Sequence, residues 1–342
     1  MPSWTITVQS NNNGQRADRA LSENVPGLSR RFVRQLALKG HLSANGSKID
    51  PSYRVHTGQI LKLCGVQTEA SSRAFSTATL ISASDRYVYF CKPSGMHTVG
   101  RYPDQPGTLA QQVAQQFPEC KEASLDLCEA GALHRLDRST SGIVAFARDR
   151  KSWELGRLGF SNHKIRKLYI ARCCPKIVES TDWPPHSTLL PDPNWIQPCS
   201  LIQDLSSLPE TLWTSSSGSI SCVHVRAPIG RGSQRDRVSI RRGGRPSESK
   251  IQSWINPRLQ RKNQNSSFLP VERWMLIDLL SGTRHQARIH LASLGWPIKN
   301  DTIYGGKYAT GPLMLHAYML DLSLCIPNEV GIYCDPPSYF SI

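Results

Sequence analysis

In RRFVRQLALKG, residues 30 to 40, apolar side chains fall at Phe32, Val33 and Leu36 with basic residues between them. That is the spacing of one face of an α-helix. Ser29 stands where an N-cap belongs, and Gly40 stands where a helix stops in the left-handed conformation. A shorter helical stretch, ADRALSENVPGL, precedes this one. After it, HLSANGSKI and VHTGQILKL read as short strands, the first interrupted by the hairpin pair Asn45-Gly46. The segment from residue 14 to residue 64 is therefore expected to form a small α+β unit.

Residues 65 to 84 lose this periodicity and are rich in Ser, Thr and Ala, which predicts a linker, with the main domain beginning near Asp85 and running to residue 342. RYVYFCKPSGMHTVG reads as a strand running into a turn, and RSTSGIVAFARD as a turn running into an apolar strand. From there to the end, short strands and helices alternate without a regular βαβ repeat. That pattern predicts an α+β catalytic domain with a mixed sheet. Residues 179 to 220, with many Pro, Ser and Trp, read as an insertion, and the polar 256 to 270 as a loop. Between them, RAPIGRGSQRDRVSIRRGGRPSESK is dense in Arg and Gly; patterning allows either a disordered basic tract or a basic β-hairpin.

Charge changes the picture. Among 342 residues, 41 Lys and Arg oppose 26 Asp and Glu, a formal charge of +15, which points to a polyanionic partner, nucleic acid first. Arg30, Arg31, Arg34 and Lys39 crowd the predicted second helix, as a solvated face or as a surface that meets phosphate. No leader-like apolar run follows Met1, and none of the ten cysteines forms a CxxC pair. Reduced thiols in a cytoplasmic protein are thus expected, mostly in the core, with no zinc site. No apolar stretch has the length of a membrane span, and no apolar stripe marks self-association, so no membrane contact and a monomer are expected.

The chain has no GxGxxG after a strand, no GxxxxGK followed by Ser or Thr, and no HExxH. HRLD at 134 to 137 looks like a kinase catalytic loop, but neither a glycine-rich phosphate loop nor DFG accompanies it. What remains are three polar clusters, ALHRLDRSTSG, HKIRKLYIA and LLSGTRHQARIHLASLGWPIKNDTIYGG. In this order they resemble the RluA-type family of RNA pseudouridine synthases, with supporting matches at KPSGMH and PIGR. The N-terminal pattern is similar to the α-L RNA-binding module found fused to several RNA-modifying enzymes. The resemblance favours an ordered, RNA-contacting hairpin at 226 to 250.

The resemblance implies a mainly antiparallel catalytic sheet and an enzyme that isomerises uridine in RNA, ribosomal more readily than transfer RNA, with no cofactor and no metal. It implies Asp137 as nucleophile, Arg288 as the cation paired with it, and Tyr169 against the uracil face, with core packing of a strand tyrosine as the alternative. Arg135 would fill the space left by the extruded nucleotide, while Arg284, His285 and Gln286 would contact RNA with the helix-two cations. His134 is expected to be a hydrogen-bonded structural residue, and Thr140, Ser141 and Gly142 to shape the turn presenting the aspartate. Two departures stand out: the chain has GTRHQ where the family commonly has GRTHQ, and Asn300 where a glycine usually precedes the aspartate. Asparagine tolerates the left-handed conformation, so that turn is expected to survive. A silent RNA-binding factor would have no use for a carboxylate that repels phosphate, and a two-metal nuclease would need clustered carboxylates.

Overall fold

The computed structural model describes residues 3–64, 76–175, 195–202, 221–234, 236–254, 272–305 and 309–340. The chain divides into two units, one of Met1–Thr77, Met96–Ala132 and Phe146–Trp153, the other of Ala78–Gly95, Leu133–Ala145 and Glu154–Ile342.

In the first unit, strands β1 (Ser3–Thr7), β2 (Leu42–Ala44), β3 (Ser47–Lys48) and β4 (Ile60–Cys64) form an antiparallel sheet in the order β1-β4-β2-β3. Helices α1 (Ala17–Asn24) and α2 (Arg30–Leu38) pack on one another. The Ser29 side chain accepts from the Phe32 N–H at 3.2 Å and starts α2, and Gly40 at φ 77° ends it. Asn45 at φ 47° and Gly46 at φ 85° close the β2–β3 hairpin, since both turn positions need left-handed backbone. Phe32, Val33, Leu36 and Ala37 enter a core with Leu21, Leu42, Leu61 and Leu63. The other face of α2 leaves Arg30, Arg31, Arg34 and Lys39 exposed. Phe32 also meets Trp4 and Tyr102, with ring centroids 5.9 and 5.1 Å away. The unit also contains α3 (Leu109–Gln116) and α4 (Cys120–Ala123).

The second unit is organised on a ten-stranded sheet. Its strands are β5 (Thr79–Ala83), β6 (Tyr87–Lys92), β7 (Ser141–Ala147), β8 (Arg166–Cys173), β9 (Ile196–Pro198), β10 (Ser221–Arg226), β13 (Glu248–Trp254), β14 (Arg273–Leu279), β15 (Leu315–Asp321) and β16 (Gly331–Tyr333). They lie in the order β5-β6-β7-β15-β8-β14-β13-β10-β9, with β16 beside β15. β7 and β15 run parallel; β5–β6, β15–β8, β8–β14, β14–β13, β13–β10, β10–β9 and β15–β16 are antiparallel. This is the mixed, mainly antiparallel α+β architecture expected. β11 (Ile229–Arg231) and β12 (Val238–Ile240) form a separate hairpin in the arginine-rich segment, so the described part of that tract is ordered. Helix α5 (Arg150–Ser161) precedes β8, and α6 (Gln286–Ser293) follows β14.

Two expectations change. Residues 79 to 83, assigned to the linker, form β5 against β6, because Thr79↔Cys91 and Leu80↔Phe90 pair across a distance in sequence that local composition does not register. Residues 65 to 75 of that linker lie outside the described residues. So do the 256 to 270 loop and most of the 179 to 220 insertion; within the latter, 196 to 198 pair with β10 as an edge strand.

Candidate active site

Asp137 stands in the turn that leads into β7. Its carbonyl accepts from the Thr140 N–H at 3.0 Å, and the turn is tied to residues 92 to 95 by several further bonds. The Gly95 N–H donates to the Arg138 carbonyl at 2.7 Å, the Arg138 Nε donates to the Gly95 carbonyl at 2.9 Å, and the Ser94 hydroxyl donates to the Ser139 carbonyl at 2.7 Å. Lys92 Nζ, fully buried, donates to the Pro93 and Arg138 carbonyls at 3.0 and 3.3 Å. Burial lowers the pKa of this amine to about 7, although the charge of Asp137 works the other way. KPSG is therefore a clamp that sets the backbone of the aspartate turn. Gly142 begins the run into the sheet at φ 118°, where a Cβ would lie 2.3 Å from the Ala317 carbonyl oxygen of β15.

The Asp137 carboxylate is about a third exposed and faces two cationic or cation-capable groups, His285 Nε2 at 3.6 Å and Arg288 Nη1 at 3.9 Å. Arg288 is buried, and its tight partner is Asp301, not Asp137. Nε donates to Asp301 Oδ2 and Nη2 to Asp301 Oδ1, both at 2.7 Å. Burial alone would lower the pKa of this guanidinium, but the Asp301 pairing more than offsets that and holds it above its ordinary value. Asp301 is itself fixed by N–H bonds from Ile303 and Tyr304 at 2.9 and 3.0 Å. The Tyr304 ring lies under the guanidinium at 5.4 Å. The bidentate pair and the ring set the direction in which Nη1 points. Asn300, just before, adopts φ 64°, the left-handed turn expected of it.

Tyr169 lies on β8, in register with Ala317 of β15 and Ile277 of β14, and is almost entirely buried. Burial, then the charge of Asp137, pushes its phenol well above the ordinary range. Arg135 is exposed, two residues from Asp137. His134 Nε2 accepts from the Ala145 N–H at 3.3 Å, and burial drops its pKa to about 3, a neutral hydrogen-bonded ring as expected.

The GTRHQ cluster divides. His285, at φ 55°, caps α6 in the left-handed conformation and turns its ring to Asp137, buried beside the carboxylate. Arg284 is exposed and reaches the hairpin, donating to the Asp236 carbonyl at 3.3 Å. Gln286, expected at the RNA surface, is placed in the interior. Only 2% exposed, its carbonyl accepts from Ser281 Oγ and the Thr283 N–H, and its amide donates to the Glu248 carbonyl and to Ser249 Oγ. Every polar valence of that side chain is spent stitching the α6 entry to β13, because a buried amide must be satisfied internally. Asp301, Tyr304 and Lys92 also belong to the site, beyond the residues expected there. Their signal was present in NDTIYGG and KPSG, while their geometry was not. Arg30, Arg31, Arg34 and Lys39 belong to the other unit. Among the described residues, no three His, Cys, Asp or Glu side chains group so as to hold a metal ion.

A nucleophile-capable carboxylate fixed by a turn, with an oriented arginine before it and a buried tyrosine within reach of its charge, defines a centre for covalent or electrostatic work on a polyanion-borne substrate. The chain belongs to the RNA pseudouridylate synthase family, whose profile matches residues 86–293; residues 15–61 match the S4 domain. It is thus an isomerase acting on RNA. The ribosomal large subunit pseudouridine synthase C of Haemophilus influenzae is 24% identical over 336 residues, covering 92% of this chain and 85% of its own. The ribosomal large subunit pseudouridine synthase D of Pseudomonas aeruginosa is 22% identical over 304 residues, 88% of this chain and 77% of its own. Among solved structures, human RNA pseudouridylate synthase domain containing 1 shares the fold with a TM-score of 0.50 at 18% identity, over 78% of this chain and 87% of its own.

Proposed function

We propose that the protein converts specific uridines of large-subunit ribosomal RNA to pseudouridine with Asp137 as nucleophile. The observation that carries the reading is the aim of Arg288 Nη1 at the Asp137 carboxylate, with the rest of that guanidinium locked on Asp301. The relatives named for large-subunit ribosomal RNA support the substrate class.

The carboxylate either attacks the anomeric carbon, breaking its bond to N1, or adds to the pyrimidine ring. On either route the N1–sugar bond breaks and the base rotates; C5 then bonds to the anomeric carbon, the bond made by Asp137 breaks to return the free carboxylate, the C5 proton is lost and N1 gains one. Atoms and electrons balance without a cofactor or a metal. Arg288 Nη1 supplies positive charge beside the carboxylate as RNA displaces water. Arg135 occupies the place of the extruded nucleotide. Tyr169 packs against the base as a protonated phenol, since its raised pKa makes a resting tyrosinate expensive. Arg284 and the arginines of β11–β12 meet phosphate, and the exposed cations of α2 hold RNA elsewhere on the chain.

The test is carbodiimide modification with reverse-transcription stops across unmodified ribosomal and transfer RNA, treated with wild type or Asp137→Asn. Stops at a few large-subunit uridines with wild type alone support the proposal. Asp137→Asn should bind RNA within about tenfold of wild type, because phosphate contacts dominate affinity. Stops that persist with Asp137→Asn would overturn the nucleophile, stops confined to transfer RNA the substrate class, and the absence of stops on bound RNA the activity.

A further inference from the structure

The hydrogen bonds around Tyr304 dictate which nitrogen of His285 carries a proton. The Tyr304 oxygen accepts from the Val238 N–H of β12 at 3.0 Å and lies 3.0 Å from His285 Nδ1, while the other nitrogen, Nε2, is 3.6 Å from the Asp137 carboxylate. A tyrosine hydroxyl has one proton to give. If Nδ1 held the imidazole proton, the hydroxyl would accept twice and its own proton would meet no acceptor among the described residues. The bare Nε2 lone pair would then face a carboxylate. With the proton on Nε2, the hydroxyl donates to Nδ1 and the N–H side of the ring faces the Asp137 carboxylate across 3.6 Å, a charge–dipole contact longer than a hydrogen bond.

We propose that His285 is a positioning residue that presents its Nε2–H to the Asp137 carboxylate, in a tautomer fixed by Tyr304, whose hydroxyl is pinned in turn by the Val238 N–H of the basic hairpin. The inference rests on Asp137 being the nucleophile. Burial first, with Arg288 and Arg284 assisting, lowers the pKa of this imidazole despite Asp137 beside it, in keeping with a neutral ring. Its φ of 55° is a conformation that a non-glycine residue adopts at a cost and that the tertiary structure has to impose. The ring is thereby held between the α6 entry and the hairpin. Arg284 supplies a second tie from the same segment to the hairpin, at the Asp236 carbonyl. The segment that meets RNA phosphate is thus bonded, through two side chains, to the donor that orients the carboxylate.

Tyr304→Phe removes the hydroxyl and keeps the ring under Arg288. The variant should lower the single-turnover rate constant roughly tenfold, the worth of one hydrogen bond, with the RNA dissociation constant unchanged within about twofold. In histidine-labelled protein, long-range nitrogen–proton NMR correlations should report the Nε2–H form of His285 in wild type and loss of that single tautomer in Tyr304→Phe. His285→Gln carries an amide N–H near the Nε2 position and should retain more of the single-turnover rate than His285→Leu; this pair decides the matter if Tyr304→Phe is poorly folded. A Tyr304→Phe protein with wild-type rate and tautomer overturns the proposal, as does His285→Gln being as slow as His285→Leu. Asp137→Asn is assayed alongside: if it turns over normally, the nucleophile assignment fails, an outcome distinct from a relay variant that leaves the rate untouched while Asp137→Asn is inactive.

Discussion

Asp301 is the residue on which the geometry of Arg288 depends, because a buried guanidinium without its carboxylate is a desolvated, uncompensated charge. Asp301→Ala should therefore destabilise the protein by about 3–5 kcal/mol in denaturant unfolding, and Asp301→Asn, which keeps the volume and one acceptor, by less. Any folded Asp301 variant should also lose turnover more than RNA affinity, since Nη1 loses its aim. Gly142 makes a second point at this scale. At φ 118°, with a Cβ position 2.3 Å from a β15 carbonyl oxygen, it admits no side chain without displacing backbone. Gly142→Ala is expected to lower the melting temperature sharply, by a stability loss of about 3 kcal/mol or more. A melting temperature equal to wild type would mean that β15 yields at that point.

Helix α2 divides its work between two faces. Its apolar stripe joins the core, so its cations are free of packing duties, Arg30 alone being drawn toward buried Asp18 at 3.4 Å. Replacing Arg31, Arg34 and Lys39 with Ala should leave stability within about 0.5 kcal/mol of wild type, because exposed side chains carry little of it. The same variant should bind RNA more weakly, with a salt dependence shallower by about 0.7 to 0.9 for each phosphate it no longer neutralises. Titration of RNA at several salt concentrations checks both statements; an unchanged slope would make this face merely solvated. The hairpin β11–β12 follows the same logic on the other unit. There Arg231, Arg237 and Arg241 are exposed, while its backbone is bonded to the site.

On the scale of the molecule, three further neutral histidines, in addition to His285, are built into the described part of the second unit. His134 accepts from the Ala145 N–H; His290 is bonded to Ser249 Oγ and donates to the Ala227 carbonyl; His316 is bonded to Ser141 Oγ and donates to the Cys334 carbonyl. Burial lowers their pKa values to about 3, about 4 and about 4. Each folded value is below the unfolded one near 6.5, so between these limits the unfolded chain binds more protons than the folded one. Their contribution is whole above pH 6.5 and is lost as pH falls toward 4, with a limiting slope of about 4 kcal/mol per pH unit. Unfolding by denaturant at a series of pH values should show this decline, and stability that is level from pH 6.5 to 4.5 would contradict it.

Local chemistry can be read from the order of the residues. The start and stop of α2 were legible because Ser29 and Gly40 act within one turn of the helix, and the β2–β3 hairpin was legible because Asn45-Gly46 chooses its backbone without help. The left-handed Asn300 belongs with them. HRLDRSTSG, KLY and RHQAR named the family and the carboxylate, since reaction chemistry restricts residue type at fixed spacing. Tertiary structure alone decided the rest. β5 exists because β6 offers it a partner, the Gln286 side chain is buried because α6 packs it over β13, and Arg288 turns first to Asp301 because the loop after α6 returns there. Each of these depends on a partner distant in the chain, and hydrophobic period and charge pattern, which are sums over neighbours, do not encode where such partners meet.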